Sequence, residues 1–305
     1  MVALHHIDLQ IQSTASDGKH TPSEIVRMAR ERGLSVVSLT DHDTVAGVAE
    51  AVASANGTNI RVISGIEMSA EERGIHVLGY GIDHEDSALL EVLGRVQEGR
   101  VVGARKMVEN LRSEGFALDW DDVEREAGNA AVTRPHLARA VLGRKENKER
   151  LSGVRTAYEF IDAFLSNESS NYVRRAHLNA GDVIALLHQC GGVAVWSHPV
   201  VPEFRKNQYD ALEEFLRQLI EWGIDGVEVF NPSHAEDDVE FLEGLAKKYH
   251  LLRTAGSDFH EMQETPPVET GLHSARFLGD YETYGFSTDG IIEALDTAIV
   301  KRRQA

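Results

Sequence analysis

The chain carries two hydrophobic rhythms. Over residues 4–12 the period is two: Leu4, His6, Asp8, Gln10 and Gln12 share one face, and His5, Ile7, Leu9 and Ile11 the other. That is the pattern of a strand, here with one polar face. Short apolar runs at 36–39, 60–63, 74–81, 193–197, 226–230 and 252–255 read as further, buried strands. Between them the period is 3.6. Thr21-Pro22-Ser23-Glu24 has the layout of a capping box with proline in the first turn, and Ile25, Val26, Met28 and Ala29 follow at helical spacing up to Gly33. Further helices are expected at 44–55, 86–114, 119–127, 133–143, 158–165, 180–190, 209–222, 234–249 and 288–301. Strands alternating with helices favour a parallel α/β architecture. Residues 1–84 and 176–305 then form one barrel-like domain, and 85–175, which is helix without strand, reads as a helical insertion.

Candidate chemistry collects where the strands stop. Asp17, His42, Glu67, His198 and the pair Asp258 and His260 each follow the end of a predicted strand, and His76 lies within another. In parallel sheets and barrels this is the end that carries active sites. A single histidine near a strand end is more often structural; the repetition at one end of the sheet is what points to a site. Imidazoles mixed with carboxylates, and no thiolate, suit zinc, manganese or iron, and a set of this size suits more than one ion. Asp8, Asp41 and Asp43 read as partners that orient ligands.

Composition narrows the partners. Lys and Arg total 31 against 49 Asp and Glu, a formal charge of −18, which disfavours a broad grip on duplex DNA. Short anionic substrates stay compatible with this charge, because bound metals and a few arginines reverse the potential inside a pocket. No apolar stretch approaches a membrane span, and the N-terminus lacks a basic segment followed by an apolar run, so no membrane association and a cytoplasmic location are expected. The single cysteine, Cys190, excludes a disulfide framework and is expected to be a buried thiol. There is no Gly-x-Ser-x-Gly, no phosphate-binding Gly-x-x-x-x-Gly-Lys loop and no Gly-x-Gly-x-x-Gly. Trp120, Trp196 and Trp222 are too scattered for a base-stacking platform.

Several segments together resemble one family. Asp8-Leu9-x-x-x-Ser13-Thr14-x-Ser16-Asp17-Gly18 and Thr40-Asp41-His42-Asp43 are followed in order by Gly65-Ile66-Glu67, His76-Val77-Leu78-Gly79-Tyr80, Ser197-His198-Pro199 and Gly256-Ser257-Asp258-Phe259-His260. These resemble the motifs of the PHP (polymerase and histidinol phosphatase) metal-dependent phosphoesterases. The resemblance implies a distorted (β/α)7 barrel with up to three metals at the C-terminal ends of its strands. It also implies one site of Glu67, His76 and His198, a second of Asp17, His42 and His260, and a third of Glu67, Asp258 and the positions of Gln10 and Gln12. The family has a His-x-His pair where this chain has Gln10-Ile11-Gln12. An amide oxygen is a neutral and weaker donor than imidazole, so two divalent ions (Mn, Fe or Zn) are expected, or three if amide oxygens ligate.

Thr133-Arg134-Pro135-His136-Leu137-Ala138-Arg139-Ala140 and Glu228-Val229-Phe230-Asn231-Pro232-Ser233-His234 resemble one branch of that family. That branch removes the 3′-phosphate from nucleoside 3′,5′-bisphosphates and trims short RNA from its 5′ end. The likeness implies that Arg134, His136, Ser233 and His234 hold substrate phosphate, with the insertion covering the site. Arg134 would neutralise charge and His198, or another imidazole, would protonate the leaving oxygen. Arg174-Arg175 would add positive potential, with a solvated pair as the plainer reading. The expected partner is a small phosphorylated substrate, a nucleotide or short RNA. The alternatives are a nucleotide sensor that has lost one metal and does not turn over, and a histidinol-phosphate-type phosphatase, against which the insertion and Arg134-Pro135-His136 weigh.

Overall fold

The computed structural model describes residues 6–72, 75–128, 130–166, 168–173, 178–200, 209–262 and 275–304. Its strands are β1 (Ile7–Ile11), β2 (Val36–Leu39), β3 (Arg61–Ser69), β4 (His76–Tyr80), β5 (Val193–Trp196), β6 (Gly226–Phe230) and β7 (Leu252–Ala255), hydrogen-bonded in that order. Its helices are α1 (Pro22–Glu31), α2 (Val48–Ala55), α3 (Ser87–Ser113), α4 (Trp120–Ala127), α5 (Arg134–Gly143), α6 (Ala157–Phe164), α7 (Ala180–Gln189), α8 (Tyr209–Glu221), α9 (Glu236–Tyr249) and α10 (Ile291–Arg303). The capping box read from the sequence is present at α1, with Thr21 and Glu24 bonding each other's backbone N–H.

The sheet curls until its edges meet. Ile11 bridges Phe259 in parallel, and the Gln12 N–H donates to the Phe259 carbonyl at 2.9 Å. A close approach of β1 and the end of β7 makes this possible: a Cβ on Gly256 would lie 2.3 Å from Gln10 Cβ, so only glycine fits there. The result is a distorted (β/α)7 barrel. Ile11, Ile25, Leu34, Val37, Leu39 and Phe259 pack as one buried cluster that joins β1, β2 and α1 to the closing segment. Full burial of such side chains stabilises by about 1.5–3 kcal/mol each.

Two expectations need correction. The sheet is not all parallel, because β4 runs against both β3 and β5. Glu67 does not follow the end of β3 but lies inside it. The strand is nine residues long: its first half pairs with β2 and its second half, from Gly65, with β4. A Cβ on Gly65 would lie 2.2 Å from Ser38 Oγ and 2.7 Å from the Leu39 carbonyl oxygen, so the change of partner falls where only glycine fits. Because β4 is reversed, its first residue, His76, lies at the ends where β3 and β5 finish; the Ser197 N–H donates to the His76 carbonyl at 3.1 Å.

The chain divides into two compact units, Met1–Leu90 with Leu178–Ala305, and Glu91–His177. The second unit has its own core, in which Met107, Leu111, Leu137 and Phe160 are completely buried and Phe116 packs edge-on against Phe160 and Phe164. Among the described residues no helix is long and apolar enough to cross a membrane. Cys190 is buried, and burial pushes its thiol up to about 12.

Candidate active site

Three buried aspartates hold the loops that present the site. Asp41 accepts from Ser13 N, Ser13 Oγ and Ser16 Oγ, each at 2.7 Å, and so fixes the turn that carries Asp17. Asp43 accepts from Ser69 N at 2.8 Å and Ser69 Oγ at 3.1 Å, pinning β3 just past Glu67. Asp8 accepts from Ser257 N at 2.9 Å, Ser257 Oγ at 2.6 Å and Gly279 N at 2.7 Å, which positions the residue before Asp258. Burial raises Asp41 above the ordinary carboxylate range and Asp8 to about 6. Asp43, His198 and Asp258 have φ of 50°, 27° and 49°. Non-glycine residues in this region store about 1 kcal/mol or more, and such strain gathers at functional sites.

Glu67 is the hub. Its Oε1 lies 2.8 Å from His76 Nδ1 and 3.1 Å from His198 Nε2, and accepts from Ser197 Oγ at 3.2 Å. Its Oε2 accepts from Gln12 Nε2 at 2.6 Å and from Gln10 Nε2 at 3.3 Å, with His42 Nδ1 at 3.7 Å. Beyond His42, the His260 Nε2 lies 3.5 Å from Asp17 Oδ1, while His260 Nδ1–H donates to the Asp258 carbonyl at 2.7 Å and so turns Nε2 inward. Two donor groups result, Asp17–His42–His260 and His42–Glu67–His76, each with its ligand atoms within 4.8 Å of one another. They share His42. Asp258, 3.9 Å from His260 Nδ1, belongs to neither group.

The donor set fits divalent ions. His76 Nδ1 and His198 Nε2 face each other at 3.3 Å across one carboxylate oxygen, and the buried His42 Nδ1 makes no hydrogen bond among the described residues. Converging imidazole nitrogens and carboxylate oxygens without a thiolate are what zinc, manganese or iron take. Burial works to raise Glu67, but the charges of His42 and His76 and the hydrogen bonds of His198 and His76 hold it well below its usual range. Burial likewise works to lower His198, yet the Glu67 hydrogen bond and the charges of Glu67 and Asp258 raise it to about 9. In the metal-free chain this imidazolium contributes stability fully below about pH 6.5, and the contribution is lost as pH rises through about 9. A metal taken up by His198 at pH 7 would therefore displace a proton. Calorimetry in buffers of different ionisation enthalpy is expected to find about one such proton per chain, with ion affinity rising up to about pH 9.

Ser197, Glu228 and Asn231 complete the site, and Glu228 is buried at the centre of β6. Glu228 Oε2 accepts from His198 N at 2.8 Å and Asn231 Nδ2 at 3.0 Å, and burial pushes the carboxyl well above its ordinary range. This decides how the Gln10 amide sits. With its nitrogen toward Glu228, at 2.8 and 2.9 Å, that nitrogen would also meet Asn231 Nδ2 at 3.0 Å, donor against donor. Asn231 is held in place by Ser233 N–H donating to its Oδ1 at 2.9 Å. With Glu228 protonated, every group is matched the other way: Gln10 Oε1 accepts from Asn231 Nδ2 at 3.0 Å and from the Glu228 hydroxyl, and Gln10 Nε2 donates to Ser197 Oγ at 2.9 Å.

Ser233 and His234 are buried in the loop after β6, and His234 Nδ1–H donates to the Val229 carbonyl at 2.8 Å. Arg134 and His136 belong to the second unit. Arg134 opens α5, donates to the Leu165 carbonyl at 3.2 Å and stands 5.3 Å over the Tyr172 ring. His136 is buried, with Nδ1 accepting from Thr133 N at 3.1 Å in the α5 capping box. His6 is exposed at the start of β1, and Arg174 and Arg175 lie outside the described residues.

A family model for the PHP domain matches residues 8–226. A 3′,5′-nucleoside bisphosphate phosphatase of Chromobacterium violaceum is 32% identical over 262 residues, covering 84% of this chain and 87% of its own. A phosphoribosyl 1,2-cyclic phosphate 1,2-diphosphodiesterase of Eggerthella lenta is 32% identical over 263 residues, 83% of this chain and 93% of its own. A crystal structure described as a metal-dependent phosphoesterase from Bifidobacterium adolescentis superposes with a TM-score of 0.80 at 26% identity, over 98% of both chains. The barrel with its reversed β4, the imidazoles gathered on Glu67 and the length of these matches agree: the chain belongs to the PHP domain family.

Proposed function

We propose that this hydrolase of phosphate esters, from a metal-dependent family, acts on small phosphorylated substrates, with nucleoside 3′,5′-bisphosphates first and short oligoribonucleotides second. The observation that carries the reading is the pair of donor groups sharing His42 beside a buried, ionised Glu67. Without cations such a site repels phosphate; divalent ions bound there act as Lewis acids on the phosphate oxygens. The chain's own residues do the rest. Asp8, Asp41 and Asp43 keep the ligand-bearing loops in register. His198 is assigned to the ligands rather than to protonation of the leaving oxygen, because binding a metal displaces its proton. Ser233 and His234, and from the sequence motif Arg134 and His136, are assigned to the substrate phosphate. The likeness to the Chromobacterium phosphatase supports the choice of nucleotide.

The test is phosphate release from adenosine 3′,5′-bisphosphate, a 5′-phosphorylated short RNA, ribose 1,2-cyclic phosphate and histidinol phosphate, with manganese, iron or zinc and with chelator. Turnover is expected to be fastest on the bisphosphate and abolished by chelator. Preference for the cyclic ester would replace the substrate assignment, and binding of nucleotide without turnover under any metal would make the protein a sensor.

A further inference from the structure

We infer that Gln10 and Gln12 are positioning residues that cap the second oxygen of Glu67 with amide N–H groups, and that this cap limits the centre to two divalent ions. The inference rests on the metal-dependent reading of the site and adds the number of ions and the reason for it.

The two oxygens of Glu67 face different chemistry. Oε1 is turned to the imidazoles of His76 and His198, which carry lone pairs for a cation. Oε2 faces His42 Nδ1 at 3.7 Å on one side and β1 on the other, where Gln12 Nε2 approaches to 2.6 Å and Gln10 Nε2 to 3.3 Å. An amide N–H has no lone pair to offer, so an ion on this side meets donors where it needs acceptors. Gln12 is the firm half of the cap: reversed, it would set its carbonyl oxygen against the carboxylate at that short distance and move its Oε1 away from Ser16 Oγ, now 3.1 Å distant. Gln10 is the weaker half, since a reversed amide would lose the Asn231 N–H that its Oε1 now accepts at 3.0 Å but reach the Glu228 oxygens at 2.8 and 2.9 Å.

Translation of the pair is blocked as well. Both side chains are completely buried, and the absent Cβ of Gly256 lets β7 press directly on Gln10, as described above. Asp258 stands outside the two donor groups of imidazoles and carboxylates. The β1 side of the hub is therefore closed by hydrogen bonds internal to the protein, while the opposite side remains built for ions. A second consequence concerns Glu67 itself. Two N–H donors on one oxygen stabilise the ionised carboxylate and fix its plane, so that Oε1 stays aimed at the imidazoles.

The decisive measurement is ion stoichiometry by elemental analysis after equilibration with manganese, and separately with zinc, followed by removal of free metal. The wild-type chain is expected to hold two ions; any other count overturns the inference. The Gln10→His, Gln12→His double variant is expected to hold three, and a folded double variant that stays at two overturns it equally. Gln12→Leu, which keeps the bulk and removes the donor, is expected to weaken ion binding by about 10- to 100-fold, while Gln12→Glu, which brings an acceptor to the same place, is expected to raise the ion count. Unchanged affinity in the first and an unchanged count in a folded second variant would refute the positioning role. The count is read without turnover, so the two proposals fail separately: three ions with turnover refute the cap and leave the phosphoesterase, whereas two ions without turnover on any ester do the reverse.

Discussion

Glu67→Ala is expected to lower turnover of adenosine 3′,5′-bisphosphate by about a thousandfold or more and to strip the protein of most of its metal. Among the described residues its carboxylate is the one acid that reaches His42, His76 and His198 together, at 3.7, 2.8 and 3.1 Å. Without it His76 and His198 lose the carboxylate oxygen they share, and a cation there loses the charge that offsets its own. Lewis-acid assistance to phosphoryl chemistry is worth several kcal/mol, and about 4 kcal/mol corresponds to about a thousandfold in rate. Steady-state kinetics and metal content on the same sample check the result, with circular dichroism to show that the barrel is intact; a variant that keeps its metals and rate would remove Glu67 from the centre. The metal-free proteins should also differ in acid. Glu67 is held below its ordinary value of 4.5, so the wild type has the full benefit above that pH and loses it as the pH falls further. The variant lacks this dependence.

Asp8→Ala is expected to cost about 4 kcal/mol of stability and about 10 °C of melting temperature. Four donors close on this carboxylate: Ser257 N, Ser257 Oγ, Gly279 N and, at 3.4 Å, Gln10 N. Leaving a buried donor unmatched costs about 1–3 kcal/mol, and in a domain of this size each kcal/mol moves the midpoint by about 2–4 °C. The sign of the pH effect is set by a pKa raised from 3.8 to about 6. The contribution of Asp8 is full below about pH 3.8 and declines as pH rises through about 6, so the deficit of the variant is larger at pH 4 than at pH 8. Urea unfolding at both values checks it. Equal midpoints for variant and wild type would show that barrel closure does not depend on Asp8.

Much of this was legible in the residues themselves. Alternation through β1, the capping box at Thr21 and the apolar runs at β2, β6 and β7 are local signals, and local packing obeyed them. The polar residues that end the strands likewise announced one rim, where Asp17, His42, Glu67, His76, His198 and His260 now meet. The direction of β4 was not legible, because five residues rising into a sheet read the same way in either sense. Ser64-Gly65 interrupts the apolar run of β3, which made the strand look finished before Glu67. Glu228 did carry a signal, since a carboxylate between Val227 and Val229 in a buried strand has to be either protonated or matched. Ser197 and Asn231 stand within the motif segments, but nothing local told their roles, which come from partners more than 100 residues away across the barrel, such as Glu67 and Gln10.

The bridge between Ile11 and Phe259 has a bearing on how the protein comes into being. Pairing a first strand with a segment near the other end of the chain is a contact of very long sequence separation, and such contacts form late and slowly. A chain leaving the ribosome N-terminus first exposes the edge of β1, with no partner for it on that side, until residue 259 has emerged. The second unit, whose core is drawn from residues 104–165, has all it needs to fold long before that. Refolding should accordingly show an early phase from this helical unit and a slower one from barrel closure, and the donor group that joins Asp17 to His260 should assemble only with the second.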